Sequence, residues 1–175
     1  MNNQEEYELD ELNKLLIKAC RKCNTGVVKE LLEKGADVNM VDPTGSQPLN
    51  EACSHGHTDV VRLLLKNGAD VLMKRTFGGS PLHIACHGHT DIVQLLLENG
   101  ADINAKSTFG RPPLHIACEY GHTDVVQLLL KNGADVSVED KNGRSPLYIA
   151  FWERNTEIVK LLEAHIENQE RKQND

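Results

Sequence analysis

Aromatic side chains are scarce in this sequence. Three Phe, three Tyr and one Trp are the only aromatic residues among 175. A compact globular domain usually anchors its core on more large rings than this, because each ring buries a large apolar area. An elongated protein built from aliphatic layers does not need them. The composition therefore favours layers of aliphatic side chains over a core filled with rings.

A basic surface and a long apolar run are also missing. The formal net charge is −7 and the pI is about 5.6, which argues against a nucleic-acid partner because phosphate binding needs a basic face. The longest apolar stretches, such as Leu63–Leu65, are far too short to cross a bilayer. Residues 1–11 contain five acidic side chains and no apolar run, so we expect no secretory signal.

Five cysteines make an odd count, which does not suit a disulfide framework. Without a secretory signal, free thiols in a reducing compartment are expected. The sequence therefore predicts an intracellular protein, in the cytoplasm or the nucleus.

Internal repetition is the strongest signal in the chain. The triplet Gly-Ala-Asp and the dipeptide Pro-Leu each occur four times, with spacings of 33, 32 and 33 residues. Both markers register the same missing residue, which lies near His87 in the third repeat. A period of this length predicts a repeat architecture in which each unit buries its apolar face against its neighbours. The triplets begin at Gly35, Gly68, Gly100 and Gly133, and the dipeptides at Pro48, Pro81, Pro113 and Pro146.

One unit can be read residue by residue between positions 109 and 137. Pro113 suits the first turn of a short helix, and Gly121 suits its end. Thr123 or Asp124 can cap a second helix, whose Val and Leu residues form a broad apolar stripe. Gly133 then ends this helix, and polar turns return the chain to the next unit.

These motifs resemble the ankyrin repeat. The resemblance is carried by Pro81-Leu-His-Ile-Ala, by Gly88-His-Thr-Asp-Ile-Val-Gln-Leu-Leu-Leu and by Gly100-Ala-Asp-Ile-Asn, and it extends over residues 9–165. It implies an all-α fold with β-hairpin-like turns, in which five stacked helix-turn-helix units, including two caps, form a solenoid. We expect an acidic N-terminal tail, the five units and a polar C-terminal tail, at residues 1–8, 9–41, 42–74, 75–106, 107–139, 140–165 and 166–175.

Cysteine and histidine follow the repeat and therefore predict no reactive site. Four cysteines occupy one position in successive units, where stacked helices lie about 8–10 Å apart, and disulfide partners need Cα atoms within about 7 Å. We expect these four to be small buried side chains. The ankyrin resemblance gives His83 and His115 a structural role at the turns. The sequence predicts no catalytic residue, no metal and no cofactor. The four cysteines are Cys20, Cys53, Cys86 and Cys118.

Recognition is expected at the positions that do not follow the repeat. In ankyrin proteins these positions are the turn tips and the exposed face of each first helix, which together line a concave groove. Exposed aromatic residues and Arg contribute most to binding energy at such surfaces. Two alternatives remain open: the Phe residues pack as structural tip residues, or Trp152 shields the terminal cap. The predicted protein-binding residues are Thr76, Phe77, His87, Thr108, Phe109, Arg111, Glu119, Tyr120, Arg144, Trp152 and Glu153.

The sequence as a whole predicts a non-catalytic protein-binding module. The resemblance implies an intracellular adaptor or inhibitor that acts by occupying a partner protein, and we expect a monomer that binds neither nucleic acid nor membrane. A nucleic-acid or membrane-surface binder is the first alternative, and the negative charge counts against it. An enzyme is the second, and the chain has no phosphate-binding GxxxxGK[ST] loop.

Overall fold

Ten α-helices, and no strand, are found in the part of the chain that the computed structural model describes, residues 3–74 and 78–174. Thr76 and Phe77, both predicted as binding residues, lie outside these ranges. The helices form five consecutive pairs, one pair per unit. They are α1 (Asn3–Arg21), α2 (Thr25–Glu33), α3 (Pro48–Ser54), α4 (Thr58–Lys66), α5 (Pro81–Ala85), α6 (Thr90–Glu98), α7 (Pro113–Tyr120), α8 (Thr123–Lys131), α9 (Pro146–Trp152) and α10 (Thr156–Asn174).

The helices lie in two rows. The first helices of successive units contact one another from α1 through α3, α5 and α7 to α9, and the second helices from α2 through α4, α6 and α8 to α10. Each unit places a completely buried leucine in one continuous core, and each such leucine stabilises the fold by roughly 1.5–3 kcal/mol. The predicted all-α solenoid of helix-turn-helix units is confirmed. These leucines are Leu16, Leu64, Leu96, Leu129 and Leu162.

Hairpin-like turns carry the chain from one unit to the next. The backbone N–H of Ser107 donates to the carbonyl of Arg111, and that of Asp140 donates to the carbonyl of Arg144, both at 3.0 Å. Glycine at the fourth place of both turns takes a left-handed conformation, with φ of 75° at Gly110 and 73° at Gly143. The turns therefore have a fixed shape and hold both arginines at the start of the following helix.

A buried histidine joins each of two units to the next. The Nε2–H of His83 donates to the carbonyl of Arg111, and that of His115 to the carbonyl of Arg144, both at 2.9 Å. Nδ1 of His83 accepts from the backbone N–H of Ser80 at 3.1 Å. Burial lowers the pKa of His83 and of His115, although the carbonyl hydrogen bonds oppose that change. Both rings are therefore neutral at pH 7, with the proton on Nε2.

The repeated Asn-Gly pair ends the second helix of the second, third and fourth units, and the fifth unit lacks this pair. At the end of α6 the side chain of Asn99 donates to the carbonyl of Leu95 at 2.8 Å, and Gly100 takes φ of 86°. The fifth unit has His165 and Ile166 at these places, and α10 continues to Asn174. Residues 166–174, which the sequence assigned to a tail, are therefore helical. Residues 3–8 of the expected acidic tail likewise form the start of α1.

One local prediction was wrong. The second helix of the fourth unit starts at Thr123 itself, and neither Thr123 nor Asp124 caps it, because the preceding His122 occupies the N-cap position. His122 makes no side-chain capping bond. Its ring instead lies against Gly88 of the preceding unit, where a Cβ atom would come within 2.8 Å of the ring. The residue before the helix thus contributes to contact between units and not to helix capping.

The repeated cysteines are buried, as their spacing predicted, and form no disulfide within the described part of the chain. Cys20, Cys53, Cys86 and Cys118 have no solvent exposure. Burial raises the pKa of the Cys20 thiol, with a smaller contribution from Glu51, to about 12. Burial also raises the pKa of the Cys118 thiol to about 12. Thiols with such pKa values stay protonated and unreactive at neutral pH. Cys23 is exposed and takes φ of 57°.

We expect acid to weaken the fold through the junction histidines. Because the folded-state pKa of His83 lies below its ordinary 6.5, the stability it provides is complete above that value and is lost as the pH falls below it. His83→Asn should cost about 1–3 kcal/mol at pH 7.5, because Asn lacks the reach to the carbonyl. The difference from the unchanged protein should shrink towards pH 5 in urea unfolding. An equal difference at both pH values would contradict this role, and His165→Asn serves as the control.

Candidate functional site

The nine predicted binding residues within the described ranges lie on the turn tips and at the C-terminal ends of the first helices. Phe109 and Trp152 are each 70% exposed, and Tyr120 is 55% exposed. Neither Phe109 nor Trp152 is buried against a neighbouring turn or cap. These large side chains are therefore available to a partner.

Five of the predicted residues come together around one groove. The groove has a volume of about 230 Å³, and Tyr148 and Ile149 line it together with the predicted residues. The rings of Tyr148 and Trp152 are nearly parallel, with centroids 6.3 Å apart. The groove lies between the fourth and fifth units, since residues from both line it. Its predicted members are Arg111, Glu119, Arg144, Trp152 and Glu153.

Tyr120 lies beside this groove and contacts the third unit. Its ring centroid is 4.5 Å from that of His87, with an angle of 51° between the ring planes. His87 follows the short helix α5, which spans five residues where α7 spans eight. The residue missing from the third unit thus coincides with the place where His87 meets Tyr120. This contact holds Tyr120 in one orientation while leaving half of it exposed.

Thr108 and Phe109 form a separate part of the surface. Both are exposed at the tip of the turn before α7, and neither lines the groove. The carbonyl of Phe109 accepts from the backbone N–H of Lys141 at 3.3 Å, which ties this tip to the next one. The tips and the groove are therefore neighbouring but distinct contact areas.

Asp140 organises the groove, and the sequence analysis did not identify it. Its Oδ2 accepts from Nε and Nη2 of Arg144 at 2.9 and 2.8 Å, and its Oδ1 accepts from the backbone N–H of Asn142 and Arg144. Burial opposes ionisation, but these hydrogen bonds outweigh it and lower the pKa of Asp140 to about 2. The run Asp-Lys-Asn-Gly is typical of a turn closed by an Asp side chain, and this signal could have identified the residue.

Arg111 is held from two sides. Its Nη1 lies 3.0 Å from Oε2 of Glu119, and its Nε lies 3.9 Å from Oδ2 of Asp140. The side chain is only 14% exposed, and among the described residues its Nε and Nη2 have no hydrogen-bond partner. The groove thus has two fixed guanidinium groups, with Glu119 and the exposed Glu153 as acceptors. It can offer both donors and acceptors to a bound polar chain.

Asp140→Asn should destabilise the protein by about 1–3 kcal/mol at neutral pH, because it removes a charged acceptor of several hydrogen bonds. Since the folded-state pKa is lowered to about 2, this contribution is present above the ordinary 3.8 and is lost as the pH falls from there. The difference from the unchanged protein should therefore shrink in urea unfolding at low pH. Asp42→Asn is the matched control, because Asp42 closes the equivalent turn, in which Ser46 takes the place of Arg144. Equal effects of both changes would contradict the role of Arg144.

Comparison with known proteins agrees with this architecture. A family model described as "Ankyrin repeats (3 copies)" matches residues 16–107 and 105–172, whereas a comparison with curated proteins found no match. Within the described ranges, no helix is both long and apolar enough to cross a bilayer, and no group of three or more His, Cys, Asp or Glu residues could hold a metal ion. Ankyrin repeats are generally protein–protein interaction modules. The chain belongs to the ankyrin-repeat family.

Proposed function

We propose that this protein is a non-catalytic module that binds a segment of a partner protein. The surface involved, here called the recognition surface, comprises the groove, Tyr120 with His87, and the turn tip of the fourth unit. Thr76 and Phe77 belong to the proposal on sequence grounds alone. Its described residues are His87, Thr108, Phe109, Arg111, Glu119, Tyr120, Arg144, Trp152 and Glu153.

The observation that carries the proposal is the exposure of large aromatic rings beside a groove of fixed charges. Tyr, Trp and Arg are the residue types that dominate binding energy at protein interfaces. Trp152 lines the groove, and Tyr120 lies next to Glu119, which also lines it. A ring held by a neighbour loses little freedom when a partner covers it, so more of the contact energy appears as affinity.

The size and polarity of the groove favour a polypeptide over a small molecule. Its volume of about 230 Å³ is below the roughly 300–1,000 Å³ that is typical of small-molecule sites. The guanidinium groups of Arg111 and Arg144 suit carbonyl or carboxylate acceptors, and Glu153 suits N–H donors. A side chain in the groove with its backbone across these charges would satisfy both kinds of group.

The protein would act by occupancy, as an adaptor or an inhibitor inside the cell. None of the described cysteines forms a disulfide, which suits the reducing conditions of the cytoplasm or the nucleus. In this proposal the side chains of the recognition surface bind the partner and carry out no chemical step. The partner would be held or blocked, and its own activity would determine the biological result.

The proposal is tested with partners captured from the native cell and then purified for binary affinity measurement. Tyr120→Ala with Trp152→Ala should weaken binding about 10-fold to 100-fold, since anchor residues typically contribute about 1.4–2.7 kcal/mol. Tyr7→Ala is the matched control, because Tyr7 is 67% exposed at the other end of the stack.

Affinity that stays the same in a folded Tyr120→Ala, Trp152→Ala variant would reject the recognition surface. An equal loss in the Tyr7→Ala variant would reject it too, because the partner would then contact the opposite end of the protein. Circular dichroism and urea unfolding establish that each variant is folded.

A further inference from the structure

The outer face of the fifth unit is one of the two end faces of the stack, and no described unit covers it. The repeated cysteine position shows how different this face is. Cys20, Cys53, Cys86 and Cys118 have no exposure, whereas Phe151, which is 33 residues after Cys118, is 72% exposed. Since the position in the helix is the same, the cover in the first four units comes from the unit that follows.

This face differs chemically from the four faces that are covered. Tyr148 stands where His83 and His115 donate to the next turn, and Phe151 stands where the others have cysteine. Overfilling a packed position of this kind costs about 1–3 kcal/mol. An ankyrin unit that makes the same contacts as the preceding junctions therefore does not fit on this face.

The turn after α9 adds a second obstacle. In the third and fourth units Gly88 and Gly121 receive the side chains of His122 and Asn155 from the next unit, and a Cβ at these glycines would lie 2.8 and 3.0 Å from them. The fifth unit has Arg154 at this place, with φ of 61°. In the first unit the much smaller Cys23 occupies this place. His57 of the second unit still reaches the first unit there, with its Nε2 3.1 Å from the carbonyl oxygen of Arg21. The length of Arg154 therefore matters more than its Cβ.

The same face is nevertheless apolar. Phe151, Trp152 and Val159 line an open concavity of about 740 Å³, together with Arg154 and polar residues of α10. The two rings are 72% and 70% exposed. A contiguous exposed apolar patch of this kind marks an interaction site, because each ring would bury roughly 150–250 Å² when covered.

Two of the charged residues that line this concavity, both on α10, form a self-complementary pair; the third, Arg154, lies in the turn before α10. Lys160 and Glu163 both line the concavity, lie on the same side of α10 at a spacing of three residues, and form no ion pair within the described residues. When two α10 helices cross antiparallel about a two-fold axis between these residues, each Lys160 faces the other Glu163. A two-fold interface requires such a patch, because the same surface serves both partners.

We propose that the outer face of the fifth unit binds a second copy of this chain in a two-fold dimer. Phe151, Trp152 and Val159 form the apolar centre of the interface, and Lys160 and Glu163 form two ion pairs across the axis. This differs from the monomer that the sequence led us to expect. It also goes beyond the proposed function, since only Trp152 belongs to both surfaces.

A charge swap tests the dimer. Analytical ultracentrifugation over a range of concentrations should show a monomer–dimer equilibrium for the unchanged protein. Lys160→Glu alone places four carboxylates at the axis, and Glu163→Lys alone places four ammonium groups there, so each should raise the dissociation constant about 10-fold or more. The double variant Lys160→Glu, Glu163→Lys restores both ion pairs and should return the dissociation constant to within a few-fold of the original.

Phe151→Ser should also dissociate the dimer, and Tyr120→Ala should leave it intact while weakening partner binding. The dimer and the proposed function can therefore fail separately. A protein that stays monomeric up to about 1 mM overturns the dimer. So does a dimer that is unaffected by the charge reversals, or a different protein that covers Phe151 in the native complex. Because the charge variants alter exposed residues only, they keep the test valid if Phe151→Ser fails to fold.

Discussion

Each of two buried histidines reaches across to the carbonyl of an arginine in the next unit, and the recognition surface depends on that bond. The carbonyls of Arg111 and Arg144 accept from His83 and His115. The guanidinium groups of the same arginines line the groove. One residue thus serves the scaffold through its backbone and the surface through its side chain. The positions of the two arginine side chains in the groove depend on the packing between units, because a shift of one unit against the next would move both arginines.

Much of the fold was accessible from the sequence because glycine and proline act locally. Gly100 and Pro113 mark a helix end and a helix start through their backbone conformations alone, and both are where the repeat placed them. The cap expected at Thr123 was wrong because a contact between units decides the role of His122. Contacts of that kind join residues in different units, and no local pattern contains them. The missing Gly-Ala-Asp of the last unit is visible in the sequence, and α10 continues through residue 166 to Asn174.

The candidate site was predictable in one respect only. Residues that break the repeat lie on the surface, so Tyr120 and Trp152 were identified as exposed. Asp140 was missed because its importance depends on burial and on two arginines, which only the folded turn brings together. Phe151 was missed because the first four units bury its position completely. Exposure at an end face is a property of the stack and not of the residue.

The side-chain hydrogen bonds between units join residues that are separated by about one repeat length in the sequence. These hydrogen bonds, which cross the junctions, join residues 28 to 37 positions apart, and the main helix contacts among the described residues lie within one unit or between neighbouring units. Closing each junction therefore orders a loop of nearly constant length, and the entropic cost of closure is about the same at every step. Folding can begin at any adjacent pair of units and spread in both directions. A chain with this arrangement is expected to fold quickly for its length, because it never has to bring distant segments together first.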